Sequence, residues 1–165
     1  MFRTKLRNIE HMEHMVCLRC DTKYSGKWIY GELGDYLDFT TNLDCIILGI
    51  NVFGSYTYSG THRISLTISK SSEVLRSINT CLYSKKGKEI YPVMFGRPLL
   101  VKKNTRYAIQ LNMKGPHVFT GKSYKEIAAL NELFVTFLRH SFPFNQTSEI
   151  QGQIPGIIIQ HIYKK

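Results

Sequence analysis

His11, His14, Cys17 and Cys20 recur at three-residue intervals near the start of the chain, and imidazole and thiolate are donors that zinc favours. On a helix each step of three residues falls about 60° short of a full turn, so His11 and Cys20 are carried to opposite faces. A pair can reach one ion, but the four cannot. Structural zinc sites bring two such pairs together across a longer loop, so no metal ligand is expected here. Nucleophilic catalysis has raw material in many serines and six histidines. No nucleophile-elbow pattern, zinc-protease helix motif or phosphate-cradling glycine loop accompanies them. Asp35, Asp38 and Asp44 sit beside a strand and its turn, where carboxylates most commonly cap or solvate a bend. The expectation is a chain with no catalytic residues, no cofactor and no enzyme activity of its own.

The elements that must position any binding residue are short strands. From Lys23 onward, apolar or alternating runs recur at Trp28 to Tyr30, Tyr36 to Thr40, Cys45 to Phe53, Arg63 to Ser69, Ser77 to Tyr83, Ile90 to Phe95, Leu99 to Val101, Tyr107 to Met113, Phe134 to Leu138 and Gly156 to Tyr163. Turn signals such as Gly34-Asp35, Ser59-Gly60, Lys86-Gly87 and Gly115-Pro116 separate them. About ten strands at this spacing predict an all-β fold, an antiparallel β-sandwich of jelly-roll type, because each sheet must bury one face against another. Ile64, Leu66 and Ile68 alternate as in a strand with one wet face, whereas Ile157, Ile158 and Ile159 read as a strand covered on both sides. Ser123 and Glu126 form a capping-box pattern ahead of Ile127 to Leu130, which locally favours a short helix over 123–131. Residues 1–22 are basic, with Leu6, Ile9 and Val16 at helical spacing, and are expected to be a helical or disordered appendage to a domain spanning 23–165.

The chain has 165 residues, enough for one domain with a real core. Twenty-two basic against twelve acidic residues give a net charge of +10, sufficient to attract nucleic acid or acidic surfaces nonspecifically. The charges fall in small groups, Arg3/Lys5/Arg7, Lys85/Lys86/Lys88, Lys102/Lys103 and Lys164/Lys165, which read as hairpin ends and termini rather than a nucleic-acid groove. Four cysteines without a signal-peptide pattern are expected to be free thiols, and no apolar run reaches membrane-spanning length, so a cytoplasmic protein is expected. The sequon Asn145-Gln146-Thr147 is then an unused coincidence.

One run stands apart. Leu48-Gly49-Ile50-Asn51-Val52-Phe53-Gly54 is an apolar strand interrupted by two glycines, positions where a side chain would block a bend or a close backbone approach. With Trp28, Tyr30, Asp35, Leu37 and Phe39 ahead of it, and Asn145, Thr147, Ser148 and then Gly152-Gln153-Ile154-Pro155 about a hundred residues later, the chain resembles the PHR domain. That module is shared by Highwire-type ubiquitin ligases and BTB-domain adaptor proteins. The resemblance covers about residues 23–163. It implies a β-sandwich that recognises a protein partner, either a ubiquitin-ligase component or its substrate, with Trp28, Gly49, Phe53, Gly54, Gly152, Gln153 and Pro155 as scaffold. Asn51 stands where the family usually has a second glycine, and the glycine expected after Gly121 is replaced around Ser123 and Tyr124.

Loops gather at the ends of a sandwich, where a rigid scaffold presents variable side chains. Asp35, Tyr56, Tyr58, His117, Phe119, Lys122 and Tyr124 are the candidate partner-binding residues, a mixture suited to protein contact. Two other readings stand beside this one, a jelly-roll binding carbohydrate or a small ligand at its end, and a basic nucleic-acid-binding module.

Overall fold

A computed structural model describes residues 14–28, 34–142 and 145–160. It contains twelve strands, and no helix occurs among the described residues. In chain order they are β1 (His14–Leu18), β2 (Asp21–Trp28), β3 (Asp35–Thr41), β4 (Cys45–Phe53), β5 (Gly60–Lys70), β6 (Glu73–Ser84), β7 (Ile90–Val101), β8 (Tyr107–Lys114), β9 (Val118–Lys122), β10 (Ile127–Leu130), β11 (Leu133–Arg139) and β12 (Gly156–Gln160). Every pairing is antiparallel. A four-stranded sheet has the order β1-β12-β4-β7, a six-stranded sheet has the order β10-β11-β3-β8-β5-β6, and β2 pairs with β9 alone.

Alternation decides which residues enter the core. In β5, His62, Ile64, Leu66 and Ile68 are buried while Thr61, Arg63 and Ser65 are exposed, as the period of two requires. Ile47, Ile50 and Val52 of the smaller sheet join Leu37, Phe39, Ile109, Leu111 and Phe137 of the larger one in a single hydrophobic cluster. All five residues of β12 are buried, as the Ile157-Ile158-Ile159 run predicts.

The glycine run is explained by a bulge. The β4–β7 register shifts between Ile47 and Gly49, so that Ile47 faces Leu99 and Gly49 faces Met94. A Cβ on Gly49 would run into the carbonyl oxygen of Val93 and lie 2.9 Å from the Met94 Cα, both backbone atoms. The runs at Ile90 and Leu99 are therefore one strand with a local irregularity. Asn51 sits within β4 opposite Pro92, away from any left-handed angle, so glycine's freedom is not needed there.

Two expectations are corrected. Residues 14–22 are not an appendage: β1 forms the edge of the smaller sheet, with Cys17 opposite Ile157, and Cys17 and Cys20 lie in the core. The period-two alternation of Met15, Val16, Cys17 and Leu18 prevails over the helical spacing, because β12 offers an unpaired edge. The remainder of the proposed appendage, residues 1–13, lies outside the described residues. Residues 123–131 do not form a helix. Ser123 has φ +54°, whereas an N-cap needs an extended angle, and β10 is instead held to β11 through a turn at Asn131, φ +53°. Ala128 is buried between exposed Ile127 and Ala129, a strand pattern.

Candidate functional site

The strands bring three loops together at one end of the domain, residues 54–59 after β4, 85–89 before β7, and 115–117 before β9. The ladder of backbone bonds leaves them little freedom. Gly54 N–H donates to Glu89 O at 2.7 Å, Phe119 N–H to Gly54 O at 3.0 Å, and Tyr56 N–H to His117 O at 2.8 Å. Ser59 Oγ accepts from Lys86 N–H at 2.8 Å. The Tyr56 and Phe119 rings meet edge to face with centroids 5.3 Å apart. Above this stitched base Tyr58 is 63% exposed, beside exposed Ser59, Lys85, Lys86 and Lys88, with Tyr56 and His117 half-buried.

Ser55 Oγ lies 3.0 Å from His62 Nε2, a spacing suited to a nucleophile and its base. Both residues are fully buried, burial pulls the His62 pKa down, and Ser55 N–H donates to Ser84 Oγ at 2.6 Å. The pair fastens the 54–59 loop to β5 and β6.

The second cluster is organised by a residue the sequence reading passed over. Arg19 follows β1 and is fully buried. Its Nε donates to Ile154 O at 2.6 Å, Nη1 to Ser148 O at 2.8 Å, and Nη2 to Gln151 O at 3.2 Å and to Gln153 O. The guanidinium lies 4.7 Å from the centre of the Tyr124 ring and 5.7 Å from that of Phe137. Burial draws its pKa down to about 10, so it remains charged at neutral pH. The loop thus gripped holds two left-handed residues, Gly152 (φ +96°) and Ile154 (φ +66°). For a β-branched residue that angle is strained, and four carbonyls aimed at one cation supply the constraint. A Cβ on Gly152 would meet Thr147 Oγ1.

Around that loop, Tyr124 O–H donates to Gly152 O at 2.7 Å and accepts from Gly121 N–H at 3.0 Å. Thr147 O–H donates to Asp35 Oδ1 at 2.7 Å, and Thr147 Oγ1 accepts from Gln153 N–H at 2.9 Å. Burial pushes the Asp35 carboxyl up to about 6, opposed by the Thr147 bond and by Arg19. Asn145 bonds both backbone groups of Tyr36, its Oδ1 accepting from N–H at 3.0 Å and its Nδ2 donating to O at 2.8 Å. The sequon asparagine is thereby occupied.

The sequence-predicted residues divide accordingly. Tyr56, Tyr58 and His117 come together at the surface of the loop end. Phe119 is buried beneath them, and Asp35 and Tyr124 belong to the Arg19 cluster. Lys122 is exposed at the end of β9, opposite Asp21. Of the scaffold residues, Phe53, Gln153 and Gly152 are buried, Pro155 O accepts from Arg19 N–H at 2.9 Å, and Trp28 packs against the core. Gly54 lies against Lys88 O and the Tyr91 ring. The His/Cys series does not converge in the strand. His14 faces outward, Cys17 and Cys20 are buried with thiols pushed up to about 11 by burial, and His11 lies outside the described residues. Asp38 pairs with Arg106 Nε and His140 Nδ1, each at 2.7 Å, and Asp44 with Lys102 at 3.6 Å. A signal for Arg19 existed in the sequence only as a lone arginine between Leu18 and Cys20.

Among curated protein sequences the chain has no match. The sequence model of one family, described as the PHR domain, matches residues 19–160 and so runs from the buried arginine to the last residue of β12. With the glycine bulge of β4 and the Gly152–Pro155 loop both in place, the chain belongs to the PHR domain family.

Proposed function

We propose that this domain is a protein-interaction module that recognises a ubiquitin-ligase component or its substrate in the cytoplasm, and that it carries no catalytic activity of its own. In this reading the two main sheets pack as a jelly-roll-like sandwich whose loop end faces the partner. The observation that carries it is the loop end itself. Tyr58 stands exposed on a base cross-linked by Gly54, Tyr56 and Phe119, and tyrosine on a rigid support contributes large contact area at little entropic cost. Lys85, Lys86 and Lys88 beside it suit an acidic partner surface. PHR domains occur in ubiquitin ligases and their adaptors, which supplies the class of partner.

The test is affinity capture with the folded domain, comparing the unmodified chain with Tyr58→Ala/His117→Ala. Both side chains lie outside the core cluster, so the variant is expected to fold, which a thermal melt checks. The reading expects ligase components or their substrates in the captured set, reduced about tenfold or more by the double substitution. Capture unaffected by the substitution, or a set without such proteins, defeats it. Binding dominated by single-stranded nucleic acid that survives physiological salt would favour the basic-module reading instead.

A further inference from the structure

β6 is the outermost strand of the larger sheet, paired with β5 and with no strand on its other side among the described residues. A free edge is a template for another strand, and proteins blunt it with proline, lysine or a bulge. β7, the outermost strand of the smaller sheet, carries Pro92 and Pro98. The middle of β6, Ser77-Ile78-Asn79-Thr80-Cys81-Leu82-Tyr83, has no proline, glycine or charge, and its pairing to β5 is regular, the one register shift lying between Ile68 and Ser69.

Cavities lie on both sides of this segment. On the outer face a hollow of about 430 Å³ is lined by Arg63, Ser65, Asn79, Cys81, Asn112 and Lys114. On the other side a slot of about 310 Å³ separates β6 from β7, with Ile78, Leu82, Pro92 and Met94 in its walls. The slot is bounded at one end by Arg76, whose Nε and Nη2 donate to Arg97 O and Pro98 O at 3.1 and 2.6 Å. Across the outer face Lys114 stands opposite Arg63, and Arg63 opposite Cys81. Like charges directly opposite weaken a sheet, and among the described residues neither cation has an ion-pair partner.

We propose that β6 accepts an extended peptide by strand addition, with acidic side chains on the Arg63–Lys114 face and apolar side chains in the slot against Ile78, Leu82 and Met94. Strands lie about 4.8 Å apart, so an added residue beside Cys81 is about 10 Å from Arg63 between backbones, a span that a glutamate and an arginine cover together. Its sequence neighbours point the opposite way, into the slot, because the side-chain period is two. Main-chain bonds supply affinity and the two cavities supply selectivity, a known mode of peptide recognition. The surface is separate from the loop end and does not depend on it.

A fluorescein-labelled peptide alternating glutamate and valine, titrated against the full chain, tests this. Saturable binding is expected, with slowed amide exchange at residues 78–82 and none at 56–59. Methylating alternate peptide nitrogens abolishes binding by strand addition without altering the protein. The exposed pair Arg63→Glu/Lys114→Glu weakens binding about tenfold and shifts preference to an alternating lysine–valine peptide. No saturable binding, equal affinity of the methylated peptide, protection at the loop end instead of β6, or indifference to the double substitution would overturn the proposal. Tyr58→Ala leaves every one of these readings unchanged, so failure here and failure of the loop-end reading are distinguishable.

Discussion

Replacing Arg19 by methionine keeps the length and most of the volume of the side chain while removing its charge and donors. The three buried bonds, to Ile154 O, Ser148 O and Gln153 O, are charge-assisted and contribute about 1.5–3 kcal/mol each, or roughly 5–9 together. Drying the guanidinium opposes them, and its pKa of about 10 corresponds to a cost of about 3 kcal/mol. The balance predicts that Arg19→Met loses about 2–6 kcal/mol, a large share of the roughly 5–15 kcal/mol that stabilises a domain. Urea unfolding followed by tryptophan fluorescence reads this directly, as a lower midpoint at unchanged slope. Arg19→Lys, a point charge able to reach one or two carbonyls, falls between the two. If Arg19→Met unfolds within about 1 kcal/mol of the unmodified chain, the guanidinium does not hold the 148–154 loop, and the account of Ile154 as a constrained residue fails with it.

Asp35 gives a pH prediction of opposite sign to the usual carboxylate. Its folded pKa, about 6, lies above the unfolded value, so the folded state holds more protons in the window from about pH 4 to 6, and stability falls as pH rises through it. The full effect is about 3 kcal/mol. Asp35→Asn keeps an oxygen for the Thr147 hydroxyl and is expected to flatten that pH dependence and to stabilise the domain at pH 7 by about 1–3 kcal/mol; a steeper loss above pH 6 in the variant would contradict this. Gly49→Ala forces its Cβ onto the Val93 carbonyl and should cost about 1–3 kcal/mol by calorimetry, whereas an increase in melting temperature would reject the bulge as the reason for that glycine. Ser123→Gly relieves a left-handed angle and should gain about 0.5–1 kcal/mol, checked by the same melts, with a loss counting against the assignment.

Strand identity was legible where one face is wet, because alternation in β5, β8 and β11 leaves a period of two in the sequence. β1 was not, because Leu6, Ile9 and Val16 fall at helical spacing and its partner β12 lies more than a hundred residues away. β10 was not, because a capping box is a local preference and the angle at Ser123 is set by the turn it must make. The scaffold residues were identified as a pattern, but their cause was hidden in the same way. Nothing adjacent to Gly152 or Pro155 announces the cation that their loop surrounds.

That separation explains why the candidate site divided. Asp35 and Tyr124 looked like recognition residues because a carboxylate and a phenol in loops usually face solvent. Here both belong to the network around a buried arginine whose own sequence neighbours are apolar, and a network of that kind fixes geometry. Tyr58 stands exposed on a loop whose base is fixed from beneath, beside lysines of 85–89 that are tied to the core through Tyr91, whose hydroxyl accepts from Lys85 N–H and whose ring lies under the Lys88 ammonium. Under the proposed function the chain uses similar polar and aromatic chemistry for two purposes, and burial is what separates them. Where a tyrosine hydroxyl already donates to a carbonyl, its removal should lower stability. Where a tyrosine is exposed above a braced loop, its removal should lower affinity and leave the melting temperature unmoved.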